Sequence, residues 1–153
     1  MRRNAAFTLV EIMIVVSIIA LLAVIAVPSF LRARQQAQNA KFINALRVAS
    51  GALELYAMEH NGAYPPDTNR GVVPPALLQY LDPTLDFTAQ TPIGGKWDWD
   101  FNVFGTRAAI SVVDSRASTE QMTQIDENYD DGDLSSGRFQ AKANGRYSEI
   151  IEK

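Results

Sequence analysis

Residues 5–30 read AAFTLVEIMIVVSIIALLAVIAVPSF, and one residue among them is out of character. Glu11 stands at the head of a stretch, Ile12 to Val27, that carries no charge. Phe7 to Val27 is 21 residues, about 31 Å as a helix at 1.5 Å per residue. That length matches a hydrocarbon core of roughly 30 Å. A carboxylate near the centre of such a helix costs about 2.5–3.5 kcal/mol on insertion scales, and less near an interface. The stretch predicts a membrane-spanning helix, and Glu11 needs a reason to be in it.

Arg2 and Arg3 ahead of an apolar run suggest a secretory signal, but three features oppose that. The run is longer than a usual signal core. No small-x-small cleavage site follows it, only VPSFLRAR. The acid lies inside its beginning. A plain anchor fits the length and leaves Glu11 unexplained.

The junction RRNAA/FTLVE resembles the leader junction of type IV prepilins and type II secretion pseudopilins. The resemblance implies that a prepilin peptidase cuts between Ala6 and Phe7 and methylates the new amine. Glu11 then falls at the family's acidic fifth position, and Pro28 where many members carry a helix-kinking proline. Ala6 departs from the usual glycine before the cut, and its small size is compatible with processing. After cleavage the Phe7 ammonium sits at a helix N-terminus, an unfavourable place for a cation because the helix dipole is positive there. A carboxylate one turn along is favoured by the dipole and attracts the amine, within one chain at i, i+4 spacing or, as the family implies, on the next subunit. Desolvation opposes the attraction, so the pair sets register as much as it stabilises.

Helical character is expected to continue. SFLRARQQAQNAKFINALRVASGALELYAMEHNG is rich in good helix formers. Ile43, Leu46, Ala49, Leu53 and Tyr56 recur at threes and fours, an amphipathic stripe. Asn61-Gly62 and Pro65-Pro66 supply the stop. One helix from about Thr8 to His60 follows, roughly 80 Å long and bent near Pro28, which removes an N–H from the ladder. Its second half is expected under a head, its first half bare. Ser17, Ala20, Ala23 and Ala26 offer weak support for close helix approach.

The rest predicts a small α+β head. PALLQYLD reads as a short helix. WDWDFNV alternates Trp97, Trp99, Phe101 and Val103 against Asp98, Asp100 and Asn102, a half-buried strand. Ala108–Val113 is a second strand after a Gly105-Thr106 turn. Ser118 and Gln121 have capping-box spacing before another short helix. Asn144-Gly145 signals a two-residue hairpin between strands at 138–143 and 146–151. The fold class is thus a long N-terminal α-helix packed by its second half on an antiparallel sheet of three or four strands. Its segments are a leader (1–6), a spanning and assembly helix (7–27), an amphipathic continuation (28–61) and a head (62–153).

Charge placement says more than the net −3. Arg32, Arg34, Lys41 and Arg47 occupy a stem without acids, whereas the chain from Glu54 onward holds 16 acids and 8 bases. Stem bases meeting anionic headgroups and head-to-stem attraction between copies both fit. The net charge gives no sign of nucleic-acid binding. The absence of Cys excludes disulfides, thiol catalysis and thiolate metal sites. The two-cysteine loop common in type IVa pilins is therefore missing, which favours a secretion pseudopilin.

DENYDDGD gathers Asp126, Asp130, Asp131 and Asp133, expected in one loop. Several carboxylates suit Ca2+, but an EF-hand would need glycine at Asp131 and a glutamate at the twelfth position. A solvated acidic turn and a calcium site both stay open, and major pseudopilins, which this chain resembles, bind calcium in a late loop. His60 suits a helix C-terminus. No G-x-S-x-G, H-E-x-x-H or P-loop occurs, and no enzyme is expected.

The reading is a structural subunit of a pilin-like filament. It is anchored in a bacterial inner membrane with the head in the periplasm, although positive charges flanking the helix would by themselves favour the opposite orientation. Expected partners are further copies of itself, the peptidase, inner-membrane assembly-platform proteins and minor pseudopilins, with an ATPase belonging to other proteins driving the cycle. A surface pilin for adhesion, motility or DNA uptake shares this N-terminus. Minor tip subunits often replace the glutamate. A membrane-anchored periplasmic enzyme or binding protein is the alternative of another class.

Overall fold

A computed structural model describes residues 7–153, which fall into two compact units, the first ending at Ala37 and the second spanning Gln38–Lys153. The leader, with Arg2, Arg3 and Ala6, lies outside the described residues. Helix α1, Leu9–Glu59, runs through both units and continues without a break through Pro28. It ends where the sequence stops it: Asn61 and Gly62 take φ of 55° and 80°, and the Gly62 N–H reaches back to the Ala57 carbonyl at 2.7 Å. That is the closing bond of a Schellman-type cap.

The second unit is an antiparallel sheet with α1 residues in its core. Its strands are β1 (Lys96–Val103), β2 (Thr106–Val113), β3 (Phe139–Lys142) and β4 (Arg146–Glu152), in the order β1-β2-β4-β3. Helix α2, Thr119–Tyr129, precedes β3. PALLQYLD supplies only a short 3-10 turn at Pro75–Leu77.

The α1 stripe is buried as its spacing requires, at Ile43, Leu46, Ala49 and Leu53, with Tyr56 half-buried. Phe42 joins it, fully buried and stacked on Trp97 at 5.4 Å between ring centres and an interplanar angle of 5°. Such a pair adds about 0.5–1.5 kcal/mol beyond the area it buries. Trp99 satisfies its indole N–H on the Pro65 carbonyl at 3.1 Å, so the loop after α1 is tied to β1. The Trp97–Trp99 face is thus core, with Phe101 partly buried at its edge.

Three local expectations are corrected. The β1–β2 turn is Phe104-Gly105, not Gly105-Thr106, since Val103 pairs with Thr106. Both turn residues have positive φ, 51° and 75°, as a type I′ turn demands. The β3–β4 connection is three residues, 143–145, because Lys142 pairs with Arg146. Gln121 does not close a capping box. The Ser118 hydroxyl accepts the Gln121 N–H, but the Gln121 amide instead donates to Asn39 on α1 at 2.8 Å.

The other face of β1 is not a solvated polar face either. Asp98 and Asp100 are buried beside Arg146, whose guanidinium lies 2.8 Å from each carboxylate. Ser111 donates to Asp100 and shares a hydrogen bond with Ser148, and the Phe104 ring covers Arg146 at 4.3 Å. This gives the uncommon positive φ of a phenylalanine a structural consequence. Burial pushes both aspartates above the ordinary carboxylate range, with Arg146 acting the other way. Removing one member of such a pair strands the rest in low dielectric. Arg146→Met should lower stability by about 3–5 kcal/mol, and adding Asp98→Asn and Asp100→Asn should recover much of it. Denaturant melts of the three chains in detergent check this, and an Arg146→Met loss below about 1 kcal/mol would contradict it.

Candidate functional site

In the first unit, α1 is exposed from Leu9 to Arg34 except for the half-buried Ala23. It is long and apolar enough to cross a membrane, and none of its most apolar window is buried. Glu11 lies one turn inside and has a partner the spacing could have revealed. Thr8 and Glu11 form a capping box. The Thr8 N–H and hydroxyl both donate to Glu11 Oε2 at 2.8 Å, and the Thr8 hydroxyl accepts the Glu11 N–H at 3.2 Å. The signature is the T-L-V-E of residues 8–11. The carboxylate therefore enters the apolar helix with one oxygen hydrogen-bonded within its own chain, which lowers the cost of carrying it there. Phe7 is exposed beside it. Ser17 returns its hydroxyl to the Met13 carbonyl, so its polar group is also satisfied along the helix.

In the second unit the four aspartates do not share one loop. Asp126 is on α2 and fully buried, whereas Asp130, Asp131 and Asp133 follow the helix and are exposed. Oxygens of Asp126, Asp130 and Asp131 lie within 4.8 Å of one another, a set that Asp133 does not join. The rest of the turn fixes these groups. Asp130 accepts the Arg138 N–H, Asp131 accepts the Asp133 N–H at 2.9 Å and the Ser136 hydroxyl at 2.8 Å, and Asp133 holds Ser135. Gly137, at φ 68°, lets the chain pass against the Asp130 carboxylate, where a Cβ would collide.

Asp126, on α2, is the exception among the four. Neither of its oxygens has a hydrogen-bond partner of acceptable geometry, although the Gly132 N–H acts on it weakly. Burial first, then Asp131, Asp130 and Asp133, push its pKa up to about 6. A buried carboxylate without donors, facing two more carboxylates, fits a hard cation that takes oxygen ligands.

One further buried acid lies near this turn. Glu149 of β4 accepts from Tyr129 and, at 3.0 Å, from Arg138, and burial raises its pKa. Sequence periodicity gave no sign of it, since it occupies an inward strand position.

The comparisons with known proteins agree with this geometry. Residues 1–27 match the family model described as the prokaryotic N-terminal methylation motif. The fold matches the structure of the major type IV pilin PilA1 of Clostridium difficile, with a TM-score of 0.54 at 15% identity, over 78% of this chain and 97% of that one. The chain has a pilin-like fold. Among curated relatives, the chain is 37% identical over 65 residues to type II secretion system core protein G of Klebsiella pneumoniae, covering 42% of this chain and 46% of that one. It is 35% identical over 72 residues to the protein of the same name from Vibrio cholerae, covering 47% and 48%. The chain thus spans about half the length of the curated relatives it matches.

The raised pKa of Asp126 has a definite sign in stability. The folded chain holds this proton more tightly than the unfolded chain, so the contribution is fully present below the unfolded value near 3.8 and is lost as pH rises through about 6. In chelator, the unfolding free energy should fall by on the order of 2 kcal/mol between pH 4 and 7 through this group, and Asp126→Asn should flatten that part of the curve. An identical slope in the variant would contradict the assignment.

Proposed function

We propose that this pilin-like chain is a structural subunit of a type II secretion-type pseudopilus, assembled from further copies of itself. The observation that carries the reading is Glu11, capped by Thr8 at the head of an otherwise exposed apolar helix, within a prepilin methylation motif. A peptidase removes residues 1–6, and Phe7 becomes the methylated first residue. The helix waits in the inner membrane with its head in the periplasm. Glu11 then exchanges its bond to Thr8 for the Phe7 amine of a neighbour, which places each incoming helix in register. Pro28 leaves the Val24 carbonyl without its usual donor, which supports a bend where the helix leaves the lipid. Assembly-platform proteins and minor pseudopilins complete the set of partners. A surface pilin is the second reading, favoured by the pilin whose fold this chain shares. Long filaments outside cells would select it.

Calcium belongs to the same proposal. Asp126, Asp130 and Asp131 would hold it, and its charge would satisfy the buried Asp126 carboxylate. The turn joining α2 to β3 would then be held by three side chains at once.

N-terminal mass spectrometry of the mature protein should find methylated Phe7 first, and Glu11→Ala should be processed but fail to assemble. A mature chain that keeps its first six residues, or a Glu11→Ala chain that assembles normally, would contradict the reading. Millimolar Ca2+ should raise the unfolding temperature of the wild type and leave Asp126→Asn unmoved. No shift in the wild type would refute the calcium part alone.

A further inference from the structure

Lipid accounts for the apolar helix only as far as its length allows. Twenty-one residues from Phe7 reach Val27, about the thickness of a hydrocarbon core. Phe30 and Leu31 lie beyond it and are 67% and 54% exposed. Arg32 and Arg34 follow directly, exposed and without an ion pair among the described residues. Phe30 and Arg34 are four apart, so they share one helix face.

The second unit carries a surface of complementary character. Gly51, Leu55 and Met58 fall at i, i+4 and i+7 on the outward side of α1, and they line an open groove of about 390 Å³. Leu55 and Met58 are 54% and 77% exposed. Glu54 and Asp82 are the acids at its rim, Glu54 lying 3.8 Å from the exposed Arg138 guanidinium, a contact that an incoming arginine would share. Arg47, also at the groove, has its guanidinium over the Tyr129 ring at 5.7 Å. Gly51 has no reason within its own chain: glycine weakens a helix interior relative to alanine, and a Cβ there would meet nothing within 4 Å. The glycine leaves room that this chain does not fill.

We propose that the Phe30–Arg34 segment of one copy docks in the Gly51–Leu55–Met58 groove of another. Phe30 sits over Gly51, and Arg34, one turn on, meets Glu54. The occupant is a second copy rather than an anionic membrane surface, because the acidic rim repels headgroups and attracts the stem. The contact rests on the subunit reading above, and it would give assembly a second point of register beyond Glu11.

The chain has no native cysteine, so cross-linking in membranes is clean. Two differently tagged full-length copies, one Leu31→Cys and one Leu55→Cys, are co-expressed with the assembly machinery and treated with a short bismaleimide. A mixed-tag dimer is expected. Arg34→Glu in the first copy should reduce it roughly tenfold, and Glu54→Arg in the second should restore most of it. Gly51→Ala should raise the unfolding temperature yet weaken the cross-link, a split that a purely structural glycine would not produce. Oligomers without the cross-link would overturn this contact and leave the subunit reading standing. No oligomers at all from a correctly processed chain would overturn both. A cross-link indifferent to Arg34→Glu, with a photoactivatable anionic lipid labelling Leu31, would assign the stem to the membrane and overturn the contact.

Discussion

A helix that is apolar on every side must be surrounded by something apolar, and no described residue of this chain surrounds α1 between Leu9 and Leu31. That constraint governs the rest. Under the proposed function, lipid meets it for a single copy and neighbouring helices meet it in an assembly, so one surface serves two environments. What must differ between the two states is the small number of polar groups the surface carries. Glu11 is the principal one, and its capping box with Thr8 gives it a partner in the isolated chain. The carboxylate is tolerated in the apolar helix and remains exchangeable.

The head meets a related requirement with buried acids, each in a different way. Asp98 and Asp100 share Arg146. Glu149 takes Tyr129 and Arg138. Asp126 is equally buried and has no comparable donor. In the first two cases the fold supplies its own positive charge or hydrogen bonds, and in the third it supplies more carboxylates. An arrangement that concentrates negative charge around a buried acid is stable when that acid is protonated or when a cation is present. Arg138 joins two of these solutions, since its backbone N–H binds Asp130 while its guanidinium binds Glu149.

Much of this was legible in the sequence because it follows from periodicity and stop signals. The α1 stripe, the Asn61-Gly62 terminus and the Trp97–Trp99–Phe101 alternation are local patterns, and each forms its element, while Asn144-Gly145 marks a hairpin whose connection is one residue longer than expected. Hidden features depended on partners distant in sequence. Nothing near Asp98 or Asp100 announces Arg146, so their face of β1 reads as solvated although it is buried. Asp126 reads as part of an acidic turn because its burial is set by α2 packing on the core, which a run of aspartates does not reveal. Gln121 has the spacing to cap its own helix and bridges to Asn39 instead, a choice made by tertiary proximity. The Thr8–Glu11 box was readable from its spacing, because both residues lie within one turn.

The central claim is that the Leu9–Val27 surface passes from lipid to sister helices. A spin label at Ile18→Cys, in the processed full-length chain, reports that passage through its collision rate with dissolved oxygen, which is high in lipid and low in packed protein. The account predicts rapid collisions in membranes holding the chain alone and a severalfold fall once the assembly machinery is active, with Glu11→Ala remaining at the lipid value. Slow collisions in the unassembled chain, or no change on assembly, would contradict it.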